Sequence, residues 1–239
     1  MTGAVDDKSD SRTRIIEVAA RLLQQHGPAA VTTRGVAEAA GLQAPAIYRL
    51  FGDKDGLLEA VAEHVMSTYV AAKAGVVQAA QADGVDPVED LRDGWRQQIE
   101  FGLANPSVFR LLSDPDRVRT SAAARSGRQV LQARVQRVAA LGRLRVSERR
   151  AMDLISAAGV GVIQTTLATP VADRDTELPE AMLDTVLAQI LTDAPTAKQA
   201  GPLTAAVAFR AIAPTAAGLT TGERAVLVEW LDRVIDQQA

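Results

Sequence analysis

Cysteine is absent from this 239-residue chain, and histidine occurs only twice, at His26 and His64. Without thiolates there is no cysteine nucleophile, iron–sulfur cluster, Cys-type zinc site or disulfide scaffold. The two histidines lie far apart, and no Glu-x-x-His repeat accompanies them, which argues against a di-iron bundle. No Ser, His and carboxylate set suggests catalysis, so the chain reads as neither an enzyme nor a cofactor carrier. A signal peptide is not expected, because Met1-Thr-Gly-Ala-Val-Asp-Asp lacks a basic segment followed by an apolar run. Residues 154–172 are uncharged, yet Ser156, Gln164, Thr165, Thr166, Thr169 and Pro170 dilute them. That composition favours a buried helix over a bilayer span, and a cytoplasmic protein with no membrane partner is expected.

What is present is ample apolar material, 47% of residues, with a formal charge of −3. Such a length suits one large domain or two modest ones. Charge is distributed unevenly: net 0 over residues 1–56, −5 over 57–109, +8 over 110–150 and −6 over 151–239. The +8 stretch reads either as a polyanion site or as helix faces that meet acidic neighbours.

Helical periodicity dominates, and no alternating run supports a sheet. Ile15, Val18, Ala19, Leu22 and Leu23 mark one face of a helix from about Arg12, with Asp10 and Ser11 as candidate caps and Gly27-Pro28 as its stop. Thr32 can cap a short helix that Gly41 ends, a third runs from Gln43 to Phe51, and Asp53 can cap a long helix to about Ala82. Asp86-Pro87 starts another, which ends before Asn105-Pro106. Further helices are expected near 106–112, 121–141, 147–168, 177–192, 203–212 and 223–237, the last behind a Thr220-x-x-Glu223 capping box. The fold expected is all-α: a disordered tail over 1–10, a compact bundle of three helices over 11–56, and a larger helical domain over 57–239.

Residues 32–51, TTRGVAEAAGLQAPAIYRLF, are the most informative. Small Ala37, then Gly41 at a turn, then Ile47 meet the steric needs of a helix-turn-helix: close helix crossing and a positive φ. Ile47 and Phe51 share one face at i,i+4, so the opposite face is exposed. That face carries Gln43, Ala44, Pro45, Tyr48 and Arg49. Gln suits adenine, Arg suits guanine, and small apolar surfaces suit a thymine methyl. Thr33, Arg34 and Lys54 stand at helix starts, where phosphates are favoured.

In these residues the sequence resembles the TetR family of transcriptional repressors. Thr32, Arg34, Ala37, Gly41, Pro45, Tyr48, Phe51, Lys54 and Leu57-Leu58 fall in that family's order and spacing, over about residues 12–60. Two positions depart from it: Ala44 stands where many members are polar, and Leu50 where His is common. The resemblance implies a cytoplasmic homodimer that binds double-stranded operator DNA and is released by a small-molecule inducer bound in its C-terminal domain. It also implies an inducer pocket near Trp95, Gln98, Phe101 and Phe109. Two C-terminal helices would form the dimer interface through Leu154, Ala158, Gly161, Val162, Met182, Val186 and Ile190. A core position is the alternative for each of these residues. A helical enzyme or carrier with a vestigial head, and a DNA-binding dimer without an inducer, are the alternatives for the whole.

Overall fold

Twelve α-helices occupy the described residues of the computed structural model, which are 3–82, 84–192 and 201–237. In chain order they are α1 (Gly3–His26), α2 (Thr33–Ala39), α3 (Ala44–Phe51), α4 (Lys54–Ala82), α5 (Pro87–Ala104) and α6 (Pro106–Leu112). Then come α7 (Pro115–Thr120), α8 (Ala122–Ala140), α9 (Glu148–Ala168), α10 (Leu178–Ile190), α11 (Pro202–Ile212) and α12 (Thr221–Asp236). The only β pairing among the described residues is an isolated bridge between Leu144 and Leu191.

Side-chain caps explain most of the helix starts. Thr32 Oγ1 accepts from Gly35 N at 3.0 Å, Asp53 Oδ1 from Gly56 N at 2.8 Å, and Asp86 Oδ1 from the amides of Val88 and Glu89 at 2.8 and 3.1 Å. Ser147 caps α9, and Thr220 with Glu223 closes a reciprocal capping box on α12. Two expectations are corrected. The first helix begins at Gly3, so Asp10 and Ser11 lie inside it, and no Pro or further Gly interrupts it before Gly27. Met1 and Thr2 of the expected tail lie outside the described residues. Helix α7 was not anticipated, although Asp114-Pro115 repeats the signature of Asp86-Pro87 and Asp114 Oδ1 accepts from Asp116 N at 2.9 Å.

The chain divides into two compact units, residues 1–74 with 104–127, and residues 75–103 with 128–239. The smaller unit thus holds more than residues 11–56. Its core gathers Ile15, Ala19, Val31, Val36, Ile47, Leu57 and Val61, all fully or nearly fully buried. Removing such side chains from water is the main source of its stability. Glu63 of α4 adds a polar clasp by accepting from Ser121 Oγ at 2.5 Å and Ala123 N at 2.6 Å at the start of α8.

In the larger unit, Leu91, Trp95, Ile99, Val135, Val138, Ile155, Ile163, Leu183 and Ile190 are buried. Gly102 lets α5 approach α9 closely, since a Cβ there would stand 2.6 Å from Ile163 Cδ1. Asp90 is buried between two arginines: Arg134 Nε donates to it at 3.2 Å and Arg137 Nη1 at 2.7 Å. Helix α9 is long and apolar enough to cross a membrane by length and composition. Its buried stripe of Met152, Ile155, Gly159, Val162, Ile163 and Thr166 makes it a core helix here.

Candidate nucleic-acid interface

Helix α2 ends at Ala39, and the chain turns through Ala40 and Gly41 before α3. The Gly41 φ of +68° is a left-handed conformation that favours glycine. Leu42 N donates to Ala37 O at 2.8 Å and Gly41 N to Glu38 O at 3.0 Å, which closes the turn on the end of α2. From α1, the Arg14 guanidinium donates to the Ala40 carbonyl. Gln43 then takes an extended conformation as N-cap, and Pro45 occupies the first turn of α3, where a missing N–H is harmless.

Ile47 is 0% exposed whereas its neighbour Tyr48 is 54% exposed, so α3 is pinned by one face and free on the other. Gln43, Pro45 and Arg49 are exposed beside Tyr48, and Ala44 is half-buried. The Tyr48 hydroxyl lies 3.4 Å from Thr33 Oγ1, which joins α3 to the start of α2. Arg34 is exposed one residue further on, and Lys54 is exposed at the first position of α4. Helix N-termini, three cations, an amide and a phenol therefore meet the needs of a phosphate-flanked groove reader. All eight residues expected at this interface belong to the smaller unit.

Three supporting residues escaped the sequence reading. Arg14 holds the turn, and Arg12 stacks its guanidinium 5.3 Å from the centroid of the Phe51 ring at the end of α3. Gly56 is required by space, because a Cβ there would lie 2.1 Å from the Phe51 carbonyl oxygen. None of these contacts leaves a local signal in sequence.

The residues expected in an inducer pocket are divided between the two units. Trp95, Gln98 and Phe101 belong to the larger unit and Phe109 to the smaller. Trp95 is buried and donates its indole N–H to the Pro179 carbonyl at 3.1 Å, a packing role. Gln98 packs close to Gly159, and Phe101 and Phe109 are half-buried. A cavity of about 530 Å³ lies elsewhere in the larger unit, at the start of α9 and along α11 and α12.

The dimer-interface expectation needs redistribution. Val162, Val186 and Ile190 are core residues, at 2%, 7% and 0% exposure, and cannot meet a partner. Leu154, Ala158 and Met182 are half-buried, and Gly161 is exposed. What α9 exposes includes Ala157, Val160, Gly161, Gln164, Thr165 and Ala168, and what α10 exposes includes Ala181, Thr185 and Ala188. Most of the branched residues face inward, where most area is buried, and most of the outward apolar positions are small.

An all-helical chain whose small unit presents a clamped, polar-faced second helix across a glycine turn has the architecture of a helix-turn-helix transcriptional regulator. Residues 15–61 match the family described as bacterial regulatory proteins, tetR family. The match to that family lies within the smaller unit. The chain is 33% identical over 113 residues to the HTH-type transcriptional repressor AcnR of Corynebacterium glutamicum, a match covering 46% of this chain and 60% of that protein. The chain thus matches less than two thirds of the length of that relative. In fold it resembles RolR, solved with its ligand resorcinol, at a TM-score of 0.56 and 17% identity, over 94% of this chain and 95% of that one. A TetR family transcription regulator from Marinobacter aquaeolei VT8 gives a TM-score of 0.52 at 21% identity, over 80% and 99%.

Proposed function

We propose that this protein is a cytoplasmic, homodimeric repressor that binds double-stranded operator DNA through α3 and is released by a small-molecule inducer bound in its larger unit. The observation that carries the DNA reading is the contrast along α3, with Ile47 sealed in the core and Tyr48 open beside Gln43 and Arg49. A helix fixed so firmly by its back can enter a major groove without rearrangement. In this reading Gln43 and Arg49 touch base edges, Ala44 and Pro45 lie against thymine methyls, and Thr33, Arg34, Tyr48 and Lys54 hold phosphates.

A dimer formed through the small-residue faces of α9 and α10 would set two such helices about 34–36 Å apart on a near-palindrome. The name of AcnR supports repression, and the resorcinol complex of RolR supports a small-molecule ligand. Trp95, Gln98, Phe101 and Phe109 remain the residues proposed for contact with the inducer. The inducer acts through its differential affinity for two states of the protein, transmitted along α4, which begins at Lys54.

Selection of bound fragments from random duplex DNA tests the reading, followed by gel shifts on the consensus. Tyr48→Ala and Lys54→Ala are expected to weaken binding to all sequences, and Gln43→Ala or Arg49→Ala to relax preference at single positions by about 1–3 kcal/mol. Retention of full operator affinity in all four variants refutes α3 as the reader.

A further inference from the structure

The cavity of about 530 Å³ in the larger unit has the size of a ligand site and lies apart from Trp95, Gln98 and Phe101. Its walls come from the end of the loop before α9, from α9 itself, and from α8, α11 and α12. Three arginines and four carboxylates line it, so acid is in slight excess. Glu148, the first residue of α9, is the group left least satisfied. Its side chain is 11% exposed, its Oε2 lies 3.7 Å from Arg210 Nη1, beyond hydrogen-bond reach, and its Oε1 is buried without a donor.

Arg210 is already committed elsewhere. It donates from Nε to Asp232 Oδ1 at 2.8 Å and from Nη2 to Asp232 Oδ2 at 3.4 Å. Desolvation accordingly pushes the Glu148 carboxyl above the usual carboxylate range, with the Arg210 charge pulling the other way and Asp232 adding to the rise. Met152, Val207 and Ile235, all buried, supply apolar wall to the same cavity. No group of three or more metal-binding side chains suited to a metal ion occurs among the described residues.

We propose that this cavity binds a small primary alkylammonium ion, with Glu148 as its counter-ion and Met152, Val207 and Ile235 against its alkyl chain. A buried carboxylate short of donors favours a compact cation carrying several N–H groups, and the apolar wall favours one with a hydrocarbon tail. The site is separate from the DNA face and its test contains no DNA, so its failure leaves the reading of α3 untouched.

Calorimetric titration of the full chain with n-hexylammonium chloride, against 1-hexanol and sodium hexanoate, tests the proposal. Hexylammonium is expected to bind roughly 10- to 100-fold more tightly than hexanol, the worth of a charge-assisted hydrogen bond, and hexanoate more weakly still. Glu148→Gln is expected to bring hexylammonium down to the affinity of hexanol. Equal binding of amine and alcohol, or an unchanged affinity in Glu148→Gln, overturns the proposal. A second measurement needs no variant: amide shifts of the wild-type chain on adding hexylammonium should cluster at residues 147–153, 207–210 and 232–236. Shifts clustered at other residues overturn it as well.

Discussion

Gly41 and Gly27 share one backbone conformation and differ in what surrounds them, so substitution by alanine separates two effects. Their φ angles are +68° and +75°. An alanine Cβ at position 27 would meet nothing within 4 Å, whereas at position 41 it would stand 3.0 Å from Arg14 Nη2. The left-handed conformation alone costs about 1 kcal/mol for a side-chain-bearing residue. At position 41 the Arg14 guanidinium must also give way by a few tenths of an ångström, and loosening its bond to the Ala40 carbonyl adds up to about 1 kcal/mol. Gly27→Ala is therefore expected to destabilise the smaller unit by about 1 kcal/mol and Gly41→Ala by up to about 2 kcal/mol. Hydrogen exchange at the amides of Val36 and Ile47, with urea unfolding in parallel, reads both. Arg14→Ala added to Gly41→Ala should cost less than the sum of the two single changes, because both act on the same bond. Equal penalties at 27 and 41, or strict additivity with Arg14→Ala, would refute the assignment of Arg14 as the clamp of the turn.

Asp90→Asn should destabilise the larger unit by about 3–5 kcal/mol in urea unfolding, because Arg134 and Arg137 would be left buried beside a neutral amide. Restoration of stability by replacing all three residues with apolar ones of similar volume would confirm the cause. Glu148 makes a signed prediction in pH. Its folded-state pKa is raised by burial, so the folded state binds more protons and stability falls as pH rises from the unfolded value through the folded one. Glu148→Gln should therefore gain on the wild type as pH rises above about 4, the ordinary glutamate value, in thermal melts, and a difference that stays constant with pH would contradict it.

Much of this fold was legible because capping chemistry is local. Thr32, Asp53, Asp86, Ser147 and Thr220 each announce a helix within three residues, and each is found accepting from the backbone ahead of it or heading its helix. The start of α1 was misplaced because Asp10 and Ser11 have the same chemistry, yet nothing breaks the helix behind them. The helix-turn-helix was legible for a related reason: close crossing and positive φ restrict Ala37 and Gly41 to few residue types. Arg12, Arg14 and Gly56 were not, since their partners lie 26 to 39 residues away or in a preceding turn whose approach only coordinates reveal. The faces of α9 and α10 show a further limit. Periodicity finds an apolar stripe, but it does not say whether the stripe meets the same chain or another copy, and Val162, Val186 and Ile190 meet the same chain.

Charge by segment points away from the proposed DNA face, and the reason is physical. Residues 110–150 carry the +8 excess, and several of its eleven arginines already have partners within the protein. Arg134 and Arg137 hold Asp90, Arg145 donates to the carbonyls of Gln189 and Ala188, Arg119 pairs with Asp116, and Arg128 lies 3.9 Å from Asp153. A cation whose field ends on an internal partner has little left for a distant phosphate. Residues 1–56, by contrast, are neutral in sum but not in arrangement. Asp53 is turned into the start of α4 as its cap, while Arg34, Arg49 and Lys54 stand exposed around α3. Placement rather than net charge therefore decides which surface can attract a duplex, and it favours the segment whose total is zero.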